Sequence, residues 1–159
     1  MRVATMPLKH TGGAHRPRGI IVHAMAEFLE LGDVDQDARS YLDKVGLSAH
    51  AFVHPSGTVV RAVPDELGAF HARGFNAGWL GVEILVPGVH TYSTFLRELA
   101  RGWCTDAGWR SAVRLVQEWR ARWDIPVQRV LRHSDVAPER KYDPGEGFAW
   151  GAFKESVRL

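Results

Sequence analysis

Two regimes of apolar and polar positions alternate along this chain. The runs "GIIVHAM" (19–25) and "LGVEILV" (80–86) are almost continuously apolar. Runs of that length and composition read as strands covered on both faces. The first places His23 at the C-terminal end of a strand, and the second is interrupted by one carboxylate, Glu83. From residue 34 the period changes: Val34, Ala38, Tyr41, Leu42 and Val45 recur at helical spacing, with Asp33 as candidate N-cap and Gly46 as a stop. "SAHAFVHPSGTVVRAV" (48–63) is two β-rich runs around Pro-Ser-Gly, the pattern of a hairpin. Tyr92, Phe95, Leu96 and Leu99 form the apolar stripe of a second helix. Trp109, Ala112, Val113, Val116, Trp119 and Trp123 form that of a third, with Arg110, Arg114, Glu118 and Arg122 turned to solvent. A short strand over 129–132 then delivers His133, and 148–157 predicts a closing helix. Strands alternating with helices predict an α/β fold: a single mixed central β-sheet flanked by helices, with sites gathered at strand ends. The opening "MRVATMPLKHTGGAHRPRG" is polar and broken by Gly and Pro, so residues 1–17 are expected to be a flexible segment before one folded domain at 18–159.

Composition narrows this picture a little. A chain of 159 residues with 45% apolar content suffices for one sizeable core. The formal charge of +2 is a mild attraction to polyanions that does not choose among them. With one cysteine, Cys104, no intramolecular disulfide can form and no Cys/His zinc knuckle is spelled out. There is neither an apolar secretion-signal core nor a run of about 18 apolar residues. The expectation is therefore cytoplasmic synthesis without membrane insertion, any action outside depending on release.

The chemistry concentrates in "VLRHSDVAPERKYDPG" (130–145), which packs His133, Lys141 and Asp143 into a loop stiffened by Pro138, Pro144 and Gly145. Two imidazoles, His23 and His133, and one carboxylate, Asp143, make the ligand set of a catalytic zinc site whose fourth position stays open to water. Spacing alone leaves a plainer reading open, histidines ending strands and an aspartate starting a turn. Glu83, a lone carboxylate in an apolar strand, is costly to bury charged and needs either a raised pKa or a cationic partner, unless it points to solvent from a sheet edge.

"IIVHAM", "SAHAFVHPSGTVVRAVP", "FHARGFNAGWLGVEI" and "RHSDVAPERKYDPG" occur in the order seen in the zinc-dependent N-acetylmuramoyl-L-alanine amidases, the superfamily shared with phage lysozyme-type amidases and peptidoglycan recognition proteins. The chain resembles that family over about 19–150, most specifically in the last segment, close to H-x-D-x-x-P-x-R-K-x-D-P-G. The resemblance implies a peptidoglycan-recognition/amidase-like fold, with Zn2+ held by His23, His133 and Asp143, Glu83 as general base and Lys141 at the oxyanion. It further implies that His50, His71 and Asn76 line the substrate groove, with a satisfied core histidine or a turn as the plainer roles. Trp79 stands where the family often has a small polar residue and either walls the groove or covers the sheet; His10, His15, His54 and His90 receive no role. The implied activity is hydrolysis of the amide between N-acetylmuramic acid and L-alanine in peptidoglycan or muropeptides, with no nucleic-acid partner. Its Arg- and Trp-rich composition suggests a phage-type endolysin released to the periplasm or wall during lysis. The alternatives are a cytoplasmic amidase recycling anhydro-muropeptides and a non-catalytic peptidoglycan-binding module.

Overall fold

The computed structural model describes residues 1–158; residue 159, the last of the expected domain, lies outside the described residues. A mixed sheet forms the centre, as the alternation of strand and helix patterns predicts. Its long members are β3 (Gly19–Leu31) and β8 (Trp79–His90), which pair in parallel with His23 beside Glu83. β5 (Ala51–Val53) lies parallel to β8 and forms the predicted hairpin with β6 (Val59–Arg61), turning at Gly57, whose φ is +83°. Short β9 (Val130–Arg132) runs parallel to β3 on its other side.

Even-numbered residues of β3 and β8 (Ile20, Val22, Leu80, Val82, Ile84) point into a core closed by α3 (Asp106–Trp123), α2 (Tyr92–Leu99) and α5 (Trp150–Ser156). The opposite face packs Phe52, Val60 and Leu85 against α1 (Ala38–Lys44). This is the period-2 alternation of a strand serving two buried faces. His23 and Glu83 stand on the second face.

Three expectations change. The first 17 residues, expected to be loose, carry two strands: β1 (Val3–Thr5) pairs with β6, and β2 (Thr11–Ala14) pairs with β7 (Leu67–Ala69). Backbone pairing and one buried apolar plug, Leu8, anchor the segment, and neither leaves a periodic signal. Residues 34–37 are not the first turn of a helix but strand β4 (Val34–Asp37), joined to β3 by a two-residue turn at Gly32 and Asp33. Gly32 has φ +70°, which a Gly-first hairpin turn demands. The helix begins four residues later, and Asp37, not Asp33, caps it by accepting from the Ser40 amide at 3.1 Å. His23, finally, lies inside β3 instead of at its end, because that strand runs on for eight residues to Leu31.

The longer β3 creates a local edge. β9 pairs with residues 20–22 of β3 and β4 with residues 28–31, so 23–27 have neither partner on that side. An unpaired strand edge invites other hydrogen-bonding groups. One arrives: the Asp143 carboxylate accepts from the Ala24 amide at 3.3 Å.

Candidate active site

β9 ends with Arg132 opposite Val22, so the next residue, His133, leaves the sheet beside His23 and opens the short helix α4 (His133–Val136). Asp135 fastens that turn by accepting from the Arg132 amide at 2.9 Å. The loop that follows returns because the Ser134 amide donates to the Asp143 carbonyl at 3.0 Å. Its far side is pinned to the end of α2: the Trp103 indole donates to the Pro144 carbonyl at 3.1 Å, and the Gly147 amide to the Leu99 carbonyl at 2.8 Å. A Cβ on Gly147 would stand 1.5 Å from the Arg101 carbonyl oxygen, so only glycine allows this approach.

Three atoms converge. His23 Nδ1 lies 2.9 Å from His133 Nδ1 and 3.5 Å from Asp143 Oδ2, and His133 Nδ1 lies 3.0 Å from the same oxygen. All three residues are buried, and their candidate ligand atoms fall within 4.8 Å of one another. Two imidazoles and a carboxylate so placed fit Zn2+ in its catalytic form, with three protein ligands and a free position. The electrostatics suit a cation as well. Burial pushes His23 down to about 4, the Asp143 carboxylate beside Nδ1 only partly opposing this, so the ring is neutral and offers a lone pair. Burial would raise Asp143, but the hydrogen bond with His133 and the nearby His23 ring outweigh it and keep the carboxyl well below its usual range.

Glu83 Oε1 is 3.9 Å from His23 Nδ1, beside the cluster and outside the ligand set. Burial, reinforced by the charge of Asp143 and opposed by that of Lys141, raises its pKa to about 8. A cleft of about 400 Å³ opens over these groups. His23, Glu83, His133, Lys141 and Asp143 lie at its polar centre, and Met25, Tyr41, Tyr92, Phe95 and Tyr142 contribute to its walls.

Of the four residues considered for the groove, His71 lines the cleft. His50, Asn76 and Trp79 do not, and each has a framework task. His50 is fully buried: its Nδ1 accepts from the Gly81 amide and its Nε2 faces the Leu67 carbonyl, both at 2.9 Å. Asn76 Oδ1 accepts from the amides of His71 (3.0 Å) and Ala72 (2.9 Å), closing the turn that carries His71. Trp79 covers the sheet: its ring packs edge-on to Phe75 and over Gly19, where a Cβ would sit 2.2 Å from the indole. Sequence reasoning passed over His15, whose ring stacks on His50 at 5.9 Å and accepts from the Gly78 amide at 2.6 Å. Its place immediately after the weak "TGGA" strand was the available signal.

The buried histidines predict acid sensitivity. Burial lowers His50 to about 4, so the fold holds it neutral while the unfolded chain takes up a proton near 6.5. The stabilisation is complete above pH 6.5 and is lost as pH falls towards 4, by about 3 kcal/mol for this group alone. Denaturant midpoints measured between pH 7 and 4.5 will fall, and less steeply in His50→Gln.

The family described as N-acetylmuramoyl-L-alanine amidase matches residues 13–146. The 1,6-anhydro-N-acetylmuramyl-L-alanine amidase AmpD of Enterobacter cloacae is 29% identical over 133 residues, covering 77% of this chain and 65% of that protein. The N-acetylmuramoyl-L-alanine amidase AmiD of Escherichia coli K12 is 28% identical over 153 residues, 85% of this chain and 51% of the other. The chain thus spans between half and about two thirds of these relatives' lengths. The fold is shared with a crystal structure of an AmpD derivative (TM-score 0.72, 24% identity, 98% of this chain and 94% of that one). It is shared too with the endolysin amidase LysCS of Clostridium intestinale (TM-score 0.75, 18% identity, 99% and 96%).

Proposed function

The chain belongs to the N-acetylmuramoyl-L-alanine amidase family, and from that premise we propose that it hydrolyses the amide joining N-acetylmuramic acid to L-alanine, using Zn2+ held by His23, His133 and Asp143. The convergence of those three ligand atoms, with Glu83 beside them, is the observation that carries the proposal. Zn2+ bound there would supply Lewis acidity and lower the pKa of a coordinated water towards 7. The protein does the rest. Glu83 takes a proton from the attacking water, and the water oxygen bonds to the lactyl carbonyl carbon. Lys141, lining the same cleft, faces the negative charge that develops on the carbonyl oxygen. Glu83 then gives its proton to the L-alanine nitrogen as the C–N bond breaks, leaving a carboxylate on the lactyl group and a free amine.

Whether the substrate is intact wall or a soluble fragment turns on other observations. The Trp-rich composition, which suggested a lysis enzyme, belongs to the core: Trp103 and Trp119 are buried, and Trp109 packs against Phe148 and Phe153. The likeness to AmpD, a protein named for the 1,6-anhydro substrate, favours soluble anhydro-muropeptides. Absence of a membrane-crossing helix among the described residues is compatible with either. The test is release of L-alanine amino termini from soluble 1,6-anhydro-muropeptides and from purified sacculi. Faster release from the soluble fragments is expected. Faster clearing of sacculi would assign a lytic role, and no release from either would mark a binding module.

A further inference from the structure

A neutral histidine has one nitrogen with a lone pair and one with a proton, and only the former can bind a metal. In this protein that choice for His23 is made by a neighbour. His71 Nε2 lies 3.2 Å from the Trp79 carbonyl oxygen, which only accepts, so the proton of His71 is on Nε2 and its Nδ1 is an acceptor. His71 Nδ1 is in turn 2.9 Å from His23 Nε2, with the rings at 87°. His23 must therefore donate from Nε2. Its lone pair is left on Nδ1, the atom that faces His133 and Asp143.

The placement of His71 has its own supports. Asn76 fixes its backbone amide at 3.0 Å. Beneath the ring, β8 carries a glycine: a Cβ on Gly81 would lie 2.5 Å from His71 Cγ and 2.6 Å from its Nδ1. Gly81 does not have a positive φ, so the glycine is required by the ring above it and not by the backbone. Its amide also donates to His50 Nδ1 at 2.9 Å, tying the seat to the buried histidine behind it. A path of single hydrogen bonds thus runs from a backbone carbonyl through His71 to Nε2 of His23, the ring nitrogen across from its ligand atom Nδ1.

We propose that His71, seated on Gly81 and anchored to the Trp79 carbonyl, is a positioning residue that fixes the tautomer and ring orientation of His23 and thereby sets zinc affinity. This rests on the zinc reading given above. Groups that hold a metal-binding histidine in this way commonly contribute about 10- to 100-fold in affinity.

The experiment has two arms. Long-range 1H–15N correlation on the unmodified, metal-free protein reads the His23 tautomer directly: a protonated Nε2 is expected, and a protonated Nδ1 overturns the proposal. Zinc titration against a competing chelator gives the second arm. Relative to the parent, His71→Phe should bind zinc roughly 10- to 100-fold more weakly, and His71→Asn, which keeps an acceptor near the Nδ1 position, should recover most of the loss. Gly81→Ala keeps the imidazole but displaces it, and should weaken binding in the same direction even if the Phe variant does not fold. Zinc affinity unchanged in folded His71→Phe or in Gly81→Ala overturns the proposal. A parent protein that binds no zinc would instead sink the metal reading itself, while the tautomer measurement still judges the role of His71.

Discussion

Glu83→Gln is expected to keep one zinc per chain and to lose turnover by about 100- to 10,000-fold, the usual contribution of a positioned proton-transfer group. A carboxylate within "LGVEILV" has to be stabilised by something the strand itself does not contain. The fold supplies it through register, setting Glu83 beside His23 on the face opposite the main core. Burial and the charge of Asp143 favour the protonated acid, while Lys141 pulls the other way, and the group, raised to about 8, lies far closer to neutrality than an ordinary carboxyl, which suits a proton shuttle. Glutamine copies the shape and polarity of that acid but cannot accept the proton, and the three ligand atoms belong to other residues. Fold and metal content should therefore survive. Zinc by mass spectrometry together with kcat on a soluble anhydro-muropeptide separates the roles: an undiminished rate removes Glu83 from the mechanism, and lost zinc makes it part of the metal site.

What could be read from the chain, and what could not, follows from how each feature is encoded. The two apolar runs and the Tyr- and Trp-bearing stripes over 92–99 and 109–123 depend on local period, and they mark β3, β8, α2 and α3. The candidate metal cluster was legible as a set of residue types but not as a contact: His23 and His133 are 110 residues apart, and they meet only because β9 stops opposite Val22. The missed elements are short and held largely by backbone pairing. β1 and β2 are three and four residues long, and β4 was hidden by a helical count that ran back through it. "LGDV" carries a Gly-first turn, and reading it would have placed the hairpin and moved the cap to Asp37. His50 and Asn76 were assigned to the groove by the resemblance, which left Trp79 either walling the groove or covering the sheet. Their actual partners are largely main-chain groups, Gly81, Leu67, Ala72 and the His71 amide and ring, which no residue pattern reveals.

The largest effect should come from the ligands: His133→Ala is expected to abolish stoichiometric zinc binding and to reduce turnover by about 10,000-fold or more, since the metal's depression of the water pKa from near 16 to about 7 is lost with it. His133 does two things at once. Its Nδ1 is one of three converging ligand atoms, and it also sits 3.0 Å from Asp143 Oδ2, where it helps keep a buried carboxylate ionised. Removing the imidazole leaves that carboxylate with the Ala24 amide and His23 as partners, a loss of roughly 1–3 kcal/mol. Metal-free stability should therefore fall modestly. The metal-dependent part should vanish: zinc at 100 times its Kd stabilises a one-site protein by about 2.7 kcal/mol, which the parent will show in denaturant melts and the variant will not. Chelation of the parent should reproduce the loss of activity, and added zinc should restore the parent and leave His133→Ala inactive. A chelated parent that still releases L-alanine amino termini at its full rate would mean that the amide is cleaved without metal, and that His23, His133 and Asp143 converge for another reason.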